Sequence, residues 1–202
     1  MPLWLSPEPL VLASQSAARA KILAGAGIPI EIIPSDVDER AEESRAGVTM
    51  VNEAARLLAR AKARAVSARM PGRVVLGADQ TLMLKDRRFT KPVDRKSARD
   101  QLHALSGKEH RLYSAVAVVR DGDLVFDYGE PVGLTMRELS SEFVETYLDS
   151  AGDAATASVG GYQIEGVGAH LFSRIEGDYF STLGLPLLPL LDFFRRSGLV
   201  AA

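Results

Sequence analysis

Asp79 follows the apolar run Val74-Val75-Leu76, just past the carboxyl end of the strand predicted at 74–78. A continuous apolar run of this length suits a strand covered on both faces, and open α/β sheets place their ligands beyond such strand ends. An Asp there is either a functional carboxylate or a turn residue bonded to its own backbone. Lys62 interrupts a helical face otherwise made of Val51, Ala55, Leu58 and Ala65. Its ammonium either snorkels to water or enters a cleft, where it would meet phosphate oxygens. Ser14 to Arg19 joins a strand end, two hydroxyls and a helix N-terminus, whose N–H groups and dipole favour an anion. Capping by Ser14 or Ser16 accounts for the same residues without a ligand. The loop has neither glycine nor GK[ST], so it is not a P-loop. Asp38 and Glu39 form an acidic loop pair after a strand, and Lys91, before Pro92, is held extended. Carboxylates for a divalent cation, cations for phosphates and hydroxyls at a helix start are what cleavage of a phosphoanhydride requires. Metal and lysines stabilise the charge that builds on the phosphate oxygens.

Other chemistries are excluded by composition. With no cysteine there are no disulfides, thiolate zinc sites or cysteine nucleophiles. His103, His110 and His170 are far apart and form no HExxH pair, which leaves a hard, oxygen-ligated cation such as Mg²⁺. Glu109 and His110 resemble a general-base pair, but no GxSxG nucleophile accompanies them. A formal charge of -2 gives no bulk attraction to nucleic acid. The opening MPLWLSPEPLVLAS lacks a basic region and holds three prolines, unlike a signal peptide, and no apolar run is long enough to span a bilayer. The expected compartment is the cytoplasm.

The elements that must position these residues follow from periodicity and punctuation. Residues 10–13 read as a strand, 17–26 as a helix ended by Gly27, and 30–34 as a second strand. Residues 49–69 form the longest helical segment, with Arg56, Arg60 and Arg64 opposite its apolar stripe. A hairpin through Lys85-Asp86-Arg87 leads to Thr90-Lys91-Pro92, and Asp94 caps a helix at 97–105 ended by Gly107. Strands at 111–120 and 124–135 flank the Asp121-Gly122 turn. Residues 140–148 are helical, 160–168 are a loop or bulged strand, and Pro186 opens a last helix closed by Gly198. One domain, 1–202, of α/β class with a mixed sheet flanked by helices is expected.

At these positions the sequence resembles the Maf family of nucleoside triphosphate pyrophosphatases, whose fold is related to that of the inosine triphosphatases. LASQSAARAKIL (12–23) is similar to the family's LASxSPRRxxLL, and VDE (37–39) to its acidic loop. AKARA (61–65), LGADQTL (76–82), TKP (90–92), LSGKEH (105–110) and the tract 160–187 match further blocks in order. The resemblance implies two lobes around a cleft, a nucleotide substrate, Mg²⁺ or Mn²⁺, and a homodimer. It implies that Ser14 and Arg19 bind phosphate, Lys62 and Lys91 bind the polyphosphate, and Glu39 and Asp79 handle metal and attacking water. Asp79 would be the general base or the metal ligand that makes hydroxide; both roles stay open.

The departures concern the base. Ala17-Ala18 replaces Pro-Arg, Gln80 replaces Thr, and Glu165 replaces Gln. Positions matching Ala18, Gln80 and Glu165 are associated in the family with base choice, and this set fits neither its dTTP/UTP pattern nor its 7-methyl-GTP pattern. The expected function is hydrolysis of nucleoside triphosphates to monophosphate and pyrophosphate, clearing non-standard or surplus nucleotides. The competing expectation is a nucleotide-binding regulatory module without turnover, suggested by the guanidinium missing at Ala18.

Overall fold

The computed structural model describes residues 2–47 and 50–202. Thr49, where the sequence starts its longest helix, lies outside them. The strands are β1 (Leu10–Leu12), β2 (Ile30–Ile32), β3 (Val74–Leu84), β4 (Arg87–Phe89), β5 (Glu109–Arg120), β6 (Asp123–Met136) and β7 (Phe172–Glu176). They form one mixed sheet in the order β2-β1-β3-β5-β6-β7, with β4 beside β3. β1 runs parallel to β2 and β3, whereas β4 and β7 pair antiparallel with β3 and β6. The helices are α1 (Ala17–Gly25), α2 (Glu39–Ala46), α3 (Val51–Ser67), α4 (Arg95–Leu105), α5 (Ser141–Ala151), α6 (Ala154–Ala157), α7 (Tyr179–Thr182) and α8 (Leu187–Arg196). Among the described residues no helix is long and apolar enough to cross a membrane.

The chain forms two compact units. The first comprises Met1–Gln80, Tyr113–Glu130 and Asp178–Ala202. Here β3 is buried on both faces. Leu76 and Ala78 pack with Leu23 of α1 and Leu190 and Phe194 of α8, while Val75 packs with Ala63 and Val66 of α3. The second unit comprises Thr81–Leu112 and Pro131–Gly177. Its core joins Leu82, Leu112, Val132, Leu134 and Met136 to Ala98 and Leu102 of α4 and Val144 and Leu148 of α5. Along β5, burial alternates up to Leu112 and then becomes continuous from Ser114 to Val119. One-faced burial thus gives way to two-faced burial within a single strand.

Several expectations are corrected. β3 does not end at Ala78 but continues to Leu84, so Asp79 lies inside a strand. It is β1 that stops, at Leu12 opposite Leu76. Beyond that register β3 has no β1 partner on this side, and the Ser14 loop turns away into α1. The Asp38-Glu39 pair is not a loop. Asp38 caps α2 through the Ala41 N–H (3.0 Å), and Glu39 opens that helix. Helical periodicity missed α2 because none of its residues is buried; caps and end charges define it. Of the two readings of 160–168, the loop holds and the bulged strand does not: the loop joins two 3₁₀ turns, Val159–Gly161 and Val167–Leu171. On α3 the buried residues include Ala54, Ala55, Leu58, Ala59, Ala63 and Val66, whereas Ala65 is half-buried. Arg56 and Arg60, read as opposite the apolar stripe, are half-exposed and pair with Asp127 of β6.

Candidate active site

Gly77 sets the distance between α3 and β3. A Cβ there would lie 2.1 Å from the Ala59 carbonyl oxygen and 2.7 Å from the Ala63 nitrogen, so only glycine lets the helix approach this closely. Asp79 is two residues further along the same face of the strand. Lys62 lies on the helix face that carries Ala59 and Ala63, and its Nζ donates to Asp79 Oδ1 at 2.6 Å. The same ammonium is 2.6 Å from Glu39 Oε1 at the start of α2. The side chains of Lys62 and Asp79 are 12% and 10% exposed, against 52% for Glu39. A buried ion pair is thus extended by one carboxylate open to solvent. Burial raises the Asp79 pKa and Glu39 adds to the rise, while Lys62 and then Arg19 pull it back. A buried carboxylate raised in this way holds a proton more readily than a free one.

The Ser14 loop forms the neighbouring wall. Arg19 donates from Nη1 to Ser14 Oγ and the Ala78 carbonyl, and from Nε to the Gly184 carbonyl, all at 2.9 Å. Burial lowers the Arg19 pKa, against the pull of Asp79 and Glu39. Much of its fork is engaged by the protein itself, leaving Nη2 for a ligand. Ser14 Oγ accepts from Arg19 and from the Ser16 N–H (3.3 Å), which leaves its own hydroxyl proton available to donate. Ser16 caps α1 through the Arg19 N–H (3.4 Å). Ala17 and Ala18 occupy the first turn, where N–H groups have no helical partner. Ser16 caps the helix while Ser14 is held by Arg19 beside the same helix start.

The remaining candidates are placed as follows. Gln80 Nε2 donates to Ser114 Oγ (2.9 Å) and to the Ser181 and Thr182 carbonyls (3.2 Å each), tying β3 to α7. Ala18 is half-buried and offers a methyl group. The structure brings Ser14, Arg19, Glu39, Lys62, Asp79 and Gln80 together in the first unit. Lys91 and Glu165 belong to the second unit, both exposed, one just after β4 and the other between the two 3₁₀ turns. Among the described residues no three His, Asp or Glu side chains converge as a metal cage. Glu39 and Asp79 both converge on the Lys62 ammonium. Two carboxylates suit Mg²⁺, which is commonly held by one or two carboxylates with substrate phosphates and water. Sequence reasoning missed Gly77 as a maker of this site, although a glycine inside an apolar strand signals close backbone approach.

The chain belongs to the Maf family, whose model, described as Maf-like protein, matches residues 9–197. Full-length relatives are similar throughout. A protein of Rhodopseudomonas palustris and one of Nitrobacter winogradskyi are each 55% identical over 201 residues, covering 100% of both chains. One of Bradyrhizobium diazoefficiens is 52% identical, again over 100% of both. Each of the three is named nucleoside triphosphate pyrophosphatase. Among solved structures, a HAM1 protein from Coxiella burnetii matches 63% of this chain and 72% of its own, with a TM-score of 0.40 and 16% identity, too distant to bear on function.

Proposed function

We propose that this chain hydrolyses nucleoside triphosphates, adding water across the α–β anhydride bond to release a nucleoside monophosphate and pyrophosphate. The observation that carries this reading is Lys62 bridging Glu39 and the buried Asp79 at 2.6 Å each. Its support is the name shared by full-length relatives at 52–55% identity. Asp79 acts on the attacking water, as the base that burial favours or as a cation ligand. Glu39 shares that task from the start of α2. Lys62 favours the ionised form of Asp79 and offers its ammonium to phosphate oxygens, and Lys91 likewise binds phosphate. The Ser14 hydroxyl, Arg19 Nη2 and the first turn of α1 take a phosphate group. A divalent cation, Mg²⁺ or Mn²⁺, held by Glu39 and Asp79 would supply further charge to the polyphosphate when bound. Ala18, Gln80 and Glu165 meet the base. Clearance of non-standard or surplus nucleotides in the cytoplasm is the role this chemistry fits.

The test is a panel of common and modified nucleoside triphosphates screened for pyrophosphate release with Mg²⁺ and with Mn²⁺. Metal-dependent release of pyrophosphate and monophosphate in equal amounts is expected. Nucleotide binding by calorimetry, without product after hours at high enzyme concentration, would replace the enzyme with a binding module. Within an active panel, Glu165→Gln is expected to alter the ranking of bases.

A further inference from the structure

In the second unit, three successive residues are each held by a side chain from a different element. The Gly160 N–H donates to Gln101 Oε1 of α4 (3.1 Å), and the Gly161 carbonyl accepts from Tyr147 Oη of α5 (3.0 Å). The Tyr162 hydroxyl is 2.7 Å from His110 Nε2 of β5. Gly160 and Gly161 both have left-handed backbones, with φ of 81° and 78°. Gly168 packs so closely that a Cβ would lie 2.3 Å from the Gln163 carbonyl oxygen. These positions accept glycine without strain and would strain any other residue, and they shape a turn whose residues 165–167 are exposed. Gln101 does more than hold Gly160. Its Nε2 donates to the Thr90 carbonyl at 2.9 Å. That carbonyl belongs to the planar peptide preceding Lys91, and Pro92, on the other side of Lys91, is buried.

We infer that Gln101 is a positioning residue whose single amide sets both the Lys91 backbone and the turn presenting Glu165. This rests on the proposed contacts of Lys91 with phosphate and of Glu165 with the base. The two ends of the amide are separable: Glu at position 101 still accepts from Gly160 but cannot donate to Thr90, whereas Met does neither.

The experiment compares Gln101→Glu, Gln101→Met, Lys91→Ala and Glu165→Gln in the full chain. Inhibition by inorganic pyrophosphate reads the phosphate contact, and the ratio of kcat/KM between the best and worst base reads the base contact. Thermal midpoints report folding. Loss of one oriented hydrogen bond corresponds to about a two- to tenfold change in the affected readout. Gln101→Glu is expected to weaken pyrophosphate inhibition by that factor and leave the base ratio unchanged. Gln101→Met is expected to move both readouts, each in the direction of Lys91→Ala or Glu165→Gln. A purely structural role would lower kcat in both Gln101 variants without separating the readouts, and that result would overturn the inference. So would unchanged readouts in both, provided Lys91→Ala and Glu165→Gln move theirs. If Lys91→Ala and Glu165→Gln move neither readout, the proposed contacts fail and the inference falls with them.

Discussion

Lys62 is held between two carboxylates on regular elements, α2 and β3, in the first unit. In the second unit, Gly160, Gly161 and Tyr162 are held by neutral partners, in a segment of short turns. The first arrangement concentrates charge: a buried carboxylate whose pKa is raised, balanced by an ammonium. The second avoids charge. Burial pushes His110 down to about 4, against a smaller pull from the Lys108 backbone to which Nδ1 makes no well-aligned hydrogen bond. Burial also raises the Tyr162 hydroxyl, so both members of that pair are neutral at pH 7. Charge is concentrated where the proposed reaction would need it, and neutral hydrogen bonds where backbone is held.

The largest effect should come from the contact on which the charged region depends. In Gly77→Ala the new methyl group meets helix backbone that cannot rotate away. A loss of about 3 kcal/mol or more in urea unfolding is expected, together with loss of turnover as Lys62 is pushed from Asp79. Near wild-type stability would mean that α3 and β3 separate easily, and the comparison would lose its rigid half.

Lys62→Met should keep the fold and disturb the charge. Since Lys62 lowers the Asp79 pKa, its removal should raise that pKa further and move the rising limb of the pH–rate profile to higher pH. Turnover at pH 7 is expected to fall by roughly 10²-fold or more. An unshifted limb would show that Asp79 is not the titrating group.

At pH 7 the smallest effect belongs to the neutral region, which only acid brings out, and it acts on stability alone. Burial holds the folded His110 pKa at about 4, below its ordinary value of 6.5, so the folded state binds fewer protons between those values. Stability should therefore fall as pH drops through that window, by up to about 3 kcal/mol from this group. His110→Gln should flatten this acid limb in unfolding curves recorded from pH 7 to pH 4, and an equally steep limb in the variant would remove His110 as its source.

The same contrast explains what could be read from sequence. β1, α1, α3, α4 and the β5–β6 hairpin announce themselves by periodicity, caps and the Asp121-Gly122 turn, where both residues have positive φ. Lys62 and Asp79 were legible because a charge on an apolar helix face or strand stands out. α2 was not, because its helix has no apolar stripe. The pairing of Arg56 and Arg60 with Asp127 was hidden because partners on distant elements leave no local pattern. Gln101 was equally invisible. An amide on a half-exposed helix position looks like ordinary surface until the segments at Thr90 and Gly160 come to it.

The central claim, that Asp79 acts on the water of a phosphoanhydride hydrolysis, is tested most directly by Asp79→Asn. The substitution keeps size and shape and removes the ionisable group. Pyrophosphate release with Mg²⁺ would be measured beside thermal unfolding. A folded variant with turnover lowered by roughly 10³-fold or more is expected. Turnover near that of the unsubstituted chain would contradict the account.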